Sequence, residues 1–145
     1  MRKEEEFREN SQAVQSHLNI LQSVIQRMAS NSSSSKAWCI TLVSAVLVIV
    51  ADKGKSDYAY ISFIPIFLFL FLDAYYLALE KGFRNAYNTF IGKLHKGLIS
   101  PEDLFAVTPE GKISLLFFQA IKSPSVWPFY LTLAAMVFIA KKIVL

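Results

Sequence analysis

The sequence predicts an all-α membrane protein: an N-terminal amphipathic helix, three transmembrane helices, and an amphipathic segment between the second and third spans. Three observations predict this. The first is composition. The chain has 145 residues, 54% hydrophobic and only 18% charged, against about 45–50% and about 25% in average soluble chains, and its mean hydropathy is +0.39. A globular chain this short has too little interior to hide that much apolar surface. The second is segmentation, because the apolar residues gather in uncharged stretches divided by charged ones. The third is charge placement: eleven Lys and Arg fall in the segments before the first span and between the second and third, and four elsewhere. The same numbers exclude a disordered chain. Cys39 is the only cysteine, which excludes a disulfide scaffold and leaves Cys39 a packing role inside a span.

Residues 1–30 form the first unit, a cytoplasmic amphipathic helix. Arg2, Lys3, Glu4, Glu5, Glu6, Arg8 and Glu9 open it, unlike a signal peptide, which has an apolar core near its start. Phe7, Val14, Leu18, Leu21, Ile25 and Met28 then recur at heptad spacing, with Ile20 and Val24 widening the stripe. Such a stripe wants an apolar partner. From Asn10 to Gln26 there is no formally charged residue, and the opposite face reads Gln12, Gln15, Ser16, His17, Asn19, Gln22, Ser23 and Gln26. Two readings stand: a solvated polar face, or an amide-lined bundle with copies of the same helix.

Residues 31–80 form a transmembrane hairpin with spans at about 34–51 and 59–80. The serine run Ser32–Ser35 has the composition of a flexible linker. Yet the heptad continues through it from Met28 to Ser32, Ser35, Cys39, Leu42, Val46 and Ile49, which favours a near-continuous helix. Ala37–Ala51 alone reaches only about 22 Å, so the span draws in residues from the serine run, with Lys36 snorkelling and Trp38 at an interface. Asp52–Tyr58 is a short polar turn. Ala59–Leu79 is the second span and holds Pro65, which membrane helices tolerate, often with a kink, and Asp73.

Residues 81–122 are a cytoplasmic or interfacial segment. Phe83, Tyr87, Phe90, Ile91 and Leu94 share one helical face, with Gly82 a candidate bend. Ser100-Pro101-Glu102-Asp103 has the residues of a helix start, and Thr108–Gly111 those of a turn. Ile113–Ile121 is apolar but too short to span. Residues 123–145 form the third transmembrane helix, with Trp127 and Tyr130 at one interface and Lys141 and Lys142 at the other. The excess of Lys and Arg puts the N-terminus and residues 80–122 in the cytoplasm and the C-terminus outside.

Asp73 carries the sharpest expectation. A carboxylate near the bilayer centre costs roughly 2.5–3.5 kcal/mol to insert, so it is paired, protonated or in a wet cavity. In an antiparallel hairpin about residue 55, position 73 lies level with 37, which predicts a structural ion pair between Lys36 and Asp73. The competing reading leaves Asp73 unpaired among headgroups. Arg27, Arg84, Lys93 and Lys96, with Tyr87 and Phe90 nearby, are candidate contacts for an anionic ligand. Cations with aromatics between them suit an oligonucleotide, and cations alone suit anionic lipid headgroups. No constellation suggests catalysis, a cofactor or a metal site: His17 and His95 stand alone, and no phosphate-binding glycine loop is present. The expectation is a protein that is not an enzyme.

Two stretches carry a resemblance. One is Ile25-Gln26-Arg27-Met28-Ala29-Ser30-Asn31-Ser32 with Lys36-Ala37-Trp38 and Thr41-Leu42-Val43. The other is Ile64-Pro65 with Leu72-Asp73-Ala74-Tyr75-Tyr76-Leu77, Glu80 and Phe83-Arg84. Over about residues 18–90, with a loosely similar last span, the chain resembles small bacterial membrane effectors of antiphage operons, the Hailong type partnered with a nucleotidyltransferase. The serine run is richer than the group's pattern. The resemblance implies a homo-oligomeric, tetrameric channel of the inner membrane, whose opening depolarises the infected cell and arrests its growth. It also implies that short single-stranded DNA oligomers made by the partner enzyme hold the channel closed. No motif transfers individual ligand-binding residues. In this reading copies of residues 11–51 bundle about an axis, with Ser32, Ser35, Thr41 and Ser44 lining the pore. The alternative is a non-conducting membrane anchor that tethers a cytoplasmic partner through its N-terminal helix; a small transporter subunit is disfavoured by the absence of internal repeats.

Overall fold

A computed structural model of the chain describes residues 7–143, and among these the fold is all-helical with no strand. The opening residues 1–6, which include Arg2, Lys3 and the first glutamates, lie outside the described residues. The helices are α1 (Gln12–Lys53), α2 (Phe63–His95), α3 (Ile113–Ile121) and α4 (Trp127–Ile143). Short 3-10 segments occupy Ser56–Ser62 and Pro101–Asp103.

α1 runs for 42 residues without interruption, about 63 Å of helix. Phe7 sits in a turn before it rather than in its first heptad. The serine run is helical throughout; within it Ser35 Oγ donates back to the Asn31 carbonyl at 2.9 Å, as Thr41 Oγ1 further along does to the Ala37 carbonyl at 3.0 Å. Gly54 ends the helix in the left-handed conformation, φ 62°, which a residue without Cβ adopts at no steric cost.

The buried face of α1 is Val14, His17, Leu21, Met28, Ser32, Ser35, Cys39, Val43 and Val50. It departs from the heptad reading in a regular way. Leu42 and Ile49, the expected late members, are exposed, and their successors Val43 and Val50 are buried. A straight helix drifts about 20° per heptad against a strict seven-residue repeat. Five heptads from Val14 therefore move the stripe by about one residue. His17 is the second departure. The sequence put it on the polar face, but it stands three residues after Val14 and four before Leu21, and it is buried with them.

α2 packs antiparallel to α1. Pro65 lies in the first turn of α2, directly after the 3-10 segment, where a missing N–H costs little. Gly82 does not interrupt the helix. α2 continues through it, and Gly82 is instead a contact point: a Cβ there would lie 2.7 Å from Pro109 Cβ, while the Gly82 carbonyl accepts from the Glu110 N–H at 2.9 Å. Gly82→Ala is expected to displace the 109–110 turn and to destabilise by about 1–3 kcal/mol, as overpacking does, read as a lower unfolding midpoint in detergent.

After α2 the chain returns along it. Asp103 pairs with Lys93, Glu110 with Thr89, α3 buries Leu116 and Ala120 against Ala74 and Ala78, and Tyr130 of α4 donates to the Phe69 carbonyl at 3.0 Å. α4 therefore runs parallel to α1. Its last turn reaches the 52–57 turn, where Lys141 Nζ lies 3.0 Å from Asp57 Oδ1 and 3.9 Å from the centre of the Tyr60 ring. The main core is Cys39 and Val43 of α1, Ile66 of α2, and Val126, Tyr130, Leu133 and Val137 around α4. The Ser100–Asp103 cap closes only one 3-10 turn, not a helix.

Around that core the surface is apolar. Trp38, Val48, Ile64, Phe67, Phe118, Leu131 and Ile139 are each more than half exposed. Soluble monomers rarely show so continuous an apolar surface. Two helical stretches, Gln12–Lys53 and Ser56–His95, are long and apolar enough to cross a membrane.

Candidate functional site

Three features converge on the α1–α2 hairpin. The first is a buried charge cluster. Asp73 has no exposed surface, yet it sits among apolar neighbours on α2. Its Oδ1 accepts a hydrogen bond from Ser32 Oγ, and its Oδ2 lies 2.6 Å from Lys36 Nζ. Lys36 and Ser32 are one helical turn apart on α1, so α1 presents a cation and a hydroxyl to one carboxylate. Lys36 keeps 23% of its side chain exposed, so its stem crosses the packed surface while its head stays partly wet. Antiparallel packing brings the two residues level, as the ladder of contacts His17–Phe90, Gln22–Tyr87 and Cys39–Pro65 also reflects.

This cluster revises the lining residues. Ser32 is buried on Asp73 of α2 and Ser35 is buried within the same copy, so neither is available to an axis outside it. Both continue the stripe from Met28, and that stripe is the one α2 covers. Thr41 and Ser44 are exposed on the other side of α1.

The second feature is the face that Thr41 and Ser44 belong to. Gln12, Gln15, Asn19, Ser23, Gln26, Ser30, Ser33, Ala37, Thr41, Ser44 and Val48 are all exposed and all uncharged. At 3.6 residues per turn they fall within about 60° of one line along α1. The buried face lies on the opposite side. The stripe thus runs nearly the whole helix, amide-rich in its first half and small or hydroxylated in its second.

The third feature is a groove of about 520 Å³ between α1 and α2, lined by Gln22, Ile25, Gln26, Ala29, Arg84, Tyr87 and Asn88. Gln22 Nε2 donates to the Tyr87 hydroxyl at 3.3 Å. Arg84 is half committed, with its guanidinium 2.8 Å from Glu80 Oε1. The expected quartet of cations is not assembled here. Arg27 does not line this groove, and Lys96 lies at the far end of the hairpin with His95 and Leu98. Lys93 is occupied by Asp103 at 2.7 Å. The Asp103 carboxylate beside Lys93 raises the lysine above its ordinary value, and Lys93 with the Ser100 backbone holds Asp103 below the usual carboxylate range.

Sequence reasoning missed His17. Its ring is 2% exposed, packs against Phe90 with centroids 4.3 Å apart, and accepts the Phe105 backbone N–H at Nδ1, 2.9 Å. The available signal was its register between Val14 and Leu21. The long return of residues 98–112 to α1 had no local signal. In comparisons with known proteins, no family model, no curated protein and no solved structure matches this chain.

Proposed function

We propose that the chain is one subunit of a homo-oligomeric channel in the bacterial inner membrane. It crosses the bilayer three times, with the N-terminus and residues 80–122 cytoplasmic and the C-terminus outside. The reading rests on one observation above all: the exposed, uncharged stripe of α1 opposite its α2-packed face. A solvated helix face ordinarily carries Lys and Glu, and a lipid face carries apolar side chains. The stripe has neither along its amide-rich half, which suits packing of like helices around a wet axis. Its Ser33, Thr41 and Ser44 then line the membrane part of the path. Three crossing segments in one copy cannot enclose a pore, so the channel is an assembly, and a tetramer is the state the family resemblance implies.

Several features support the crossing pattern. α4 is about 25 Å long, a little short of the bilayer core of about 30 Å that the proposed third crossing spans, and its Lys141 end meets the 52–57 turn. In the proposed topology the ends of α1 and α4 and the start of α2 then share one side. α3, with Leu115 and Phe118 outward and Lys112 and Lys122 at its ends, suits the bilayer boundary.

Gating acts at the cytoplasmic end in this proposal. A short DNA oligomer or nucleotide binds the groove between α1 and α2, where Arg84 supplies charge, Tyr87 a stacking surface and the amides of Gln22, Gln26 and Asn88 hydrogen bonds. Its removal opens the channel, depolarises the membrane and arrests growth, which is the defence role the resemblance implies. Potential across liposomes that carry the purified full chain tests this: collapse of the potential, slowed by short single-stranded DNA, is expected. A second reading draws on the same groove, which lies away from the apolar surface and suits a docked protein side chain. The chain is then a non-conducting anchor for a cytoplasmic partner. It would bind that partner without any flux.

A further inference from the structure

The segment 98–112 is a strap across the ends of α1 and α2, and its one attachment to α1 among the described hydrogen bonds is through His17. Phe105 holds φ at 62°, a left-handed conformation that a bulky residue rarely adopts without restraint. Its side chain is 59% exposed and meets the His17 ring edge-on, with centroids 6.5 Å apart. The restraint on its backbone is the hydrogen bond from Phe105 N–H to His17 Nδ1 at 2.9 Å. A ring nitrogen accepts only when it carries no proton. The bond therefore fixes His17 in the neutral form, with the proton on Nε2.

We infer that His17 is a pH-sensitive latch, and that its protonation releases the strap at Phe105. A protonated Nδ1 turns a hydrogen bond into an N–H facing an N–H. The strained Phe105 backbone then has no partner and relaxes. The other pins are at the ends of the segment: Lys93–Asp103 before it and Glu110 on Gly82 and Thr89 after it. They hold the flanks while residues 104–108 lift from α1.

The charged groups around His17 are Lys93 on α2 and Glu102, Asp103 and Glu110 on the strap. Burial lowers the histidine below its ordinary value of 6.5, and Asp103 opposes this in part. The sign follows. Above pH 6.5 the histidine is neutral in both closed and open strap, and closure is at full strength. Below 6.5 the open state takes up a proton first. Closure then weakens by up to tenfold per pH unit, until the closed state protonates too.

Hydrogen exchange of the full chain in lipid nanodiscs, corrected for the intrinsic pH dependence of amide exchange, tests the latch without reference to conductance. Exchange over 103–107 is expected to rise by up to about fivefold between pH 6.5 and 5.5 while α2 stays protected. His17→Asn places an amide oxygen near Nδ1 and does not titrate, so it is expected to stay closed at both pH values. His17→Leu is expected to be open at both. Phe105→Gly leaves the His17 acceptor and the Phe105 N–H in place, so the pH response is expected to be kept whatever the basal exchange. Equal protection of the wild type at pH 7.5 and 5.5 would overturn the inference, as would a full pH response in His17→Asn or its loss in Phe105→Gly.

Discussion

Lys36→Met is expected to be among the most damaging single substitutions in this chain. It leaves Asp73, which has no exposed surface, without its cation. Removing one partner of a buried pair costs about 3–5 kcal/mol, because the remaining charge is uncompensated. Asp73→Asn is expected to cost less, about 1–3 kcal/mol. The amide oxygen can still accept from Ser32, and Lys36, already part exposed, can turn toward water. The double variant Lys36→Met/Asp73→Leu removes both charges, and replacement of a buried pair by apolar groups is often neutral. It is expected to recover most of the loss. Equilibrium unfolding in mixed detergent micelles gives the three values and their coupling. Equal stability of wild type and Lys36→Met would mean that the pair contributes nothing.

The second large expected effect follows from the proposed channel and falls on conduction rather than stability. Thr41→Leu and Ser44→Leu sit on the exposed stripe, and neither touches the core of one copy. Their unfolding midpoints are expected to stay near wild type. Apolar rings dewet narrow passages, so flux through the assembly is expected to fall by roughly tenfold or more, and further in the double variant. Ser35→Ala provides the contrast: its hydroxyl is buried within one copy and bonded to its own helix, so flux is expected to hold. Unchanged flux in the Thr41→Leu/Ser44→Leu double variant would remove the stripe from the conduction path.

Much of this arrangement is legible in the residues, and the limits have physical causes. The apolar nonapeptide Ile113–Ile121 marks α3 because its length and flanking lysines leave no other register. Lys36 and Asp73 meet because a hairpin about a polar turn fixes depth on both arms. Depth is all that such arithmetic fixes. It does not give the angle around α1, so Ser32 and Ser35 read as lining residues although the stripe from Met28 turns them toward α2. The late members of that stripe shift by one because 3.6 and 3.5 residues per turn diverge over five heptads. His17 reads as polar surface because its residue type outweighs its register. Arg84 and Lys93 read as free cations, since Glu80 is a local partner easily overlooked and Asp103 arrives only through a loop path that no periodicity encodes. Gly82 reads as a hinge because a helix offers no sign that Pro109 will press against it.

The central claim is that copies of this chain enclose a conducting path along α1. The most direct test is the decay of a potassium diffusion potential in liposomes that contain only the purified full chain, with insertion verified by protein-to-lipid ratio. Prompt collapse of the potential, rising more steeply than linearly with protein density as assembly requires, is the predicted result. Vesicles that hold their potential as long as protein-free ones, at densities where the chain is fully inserted, would contradict it.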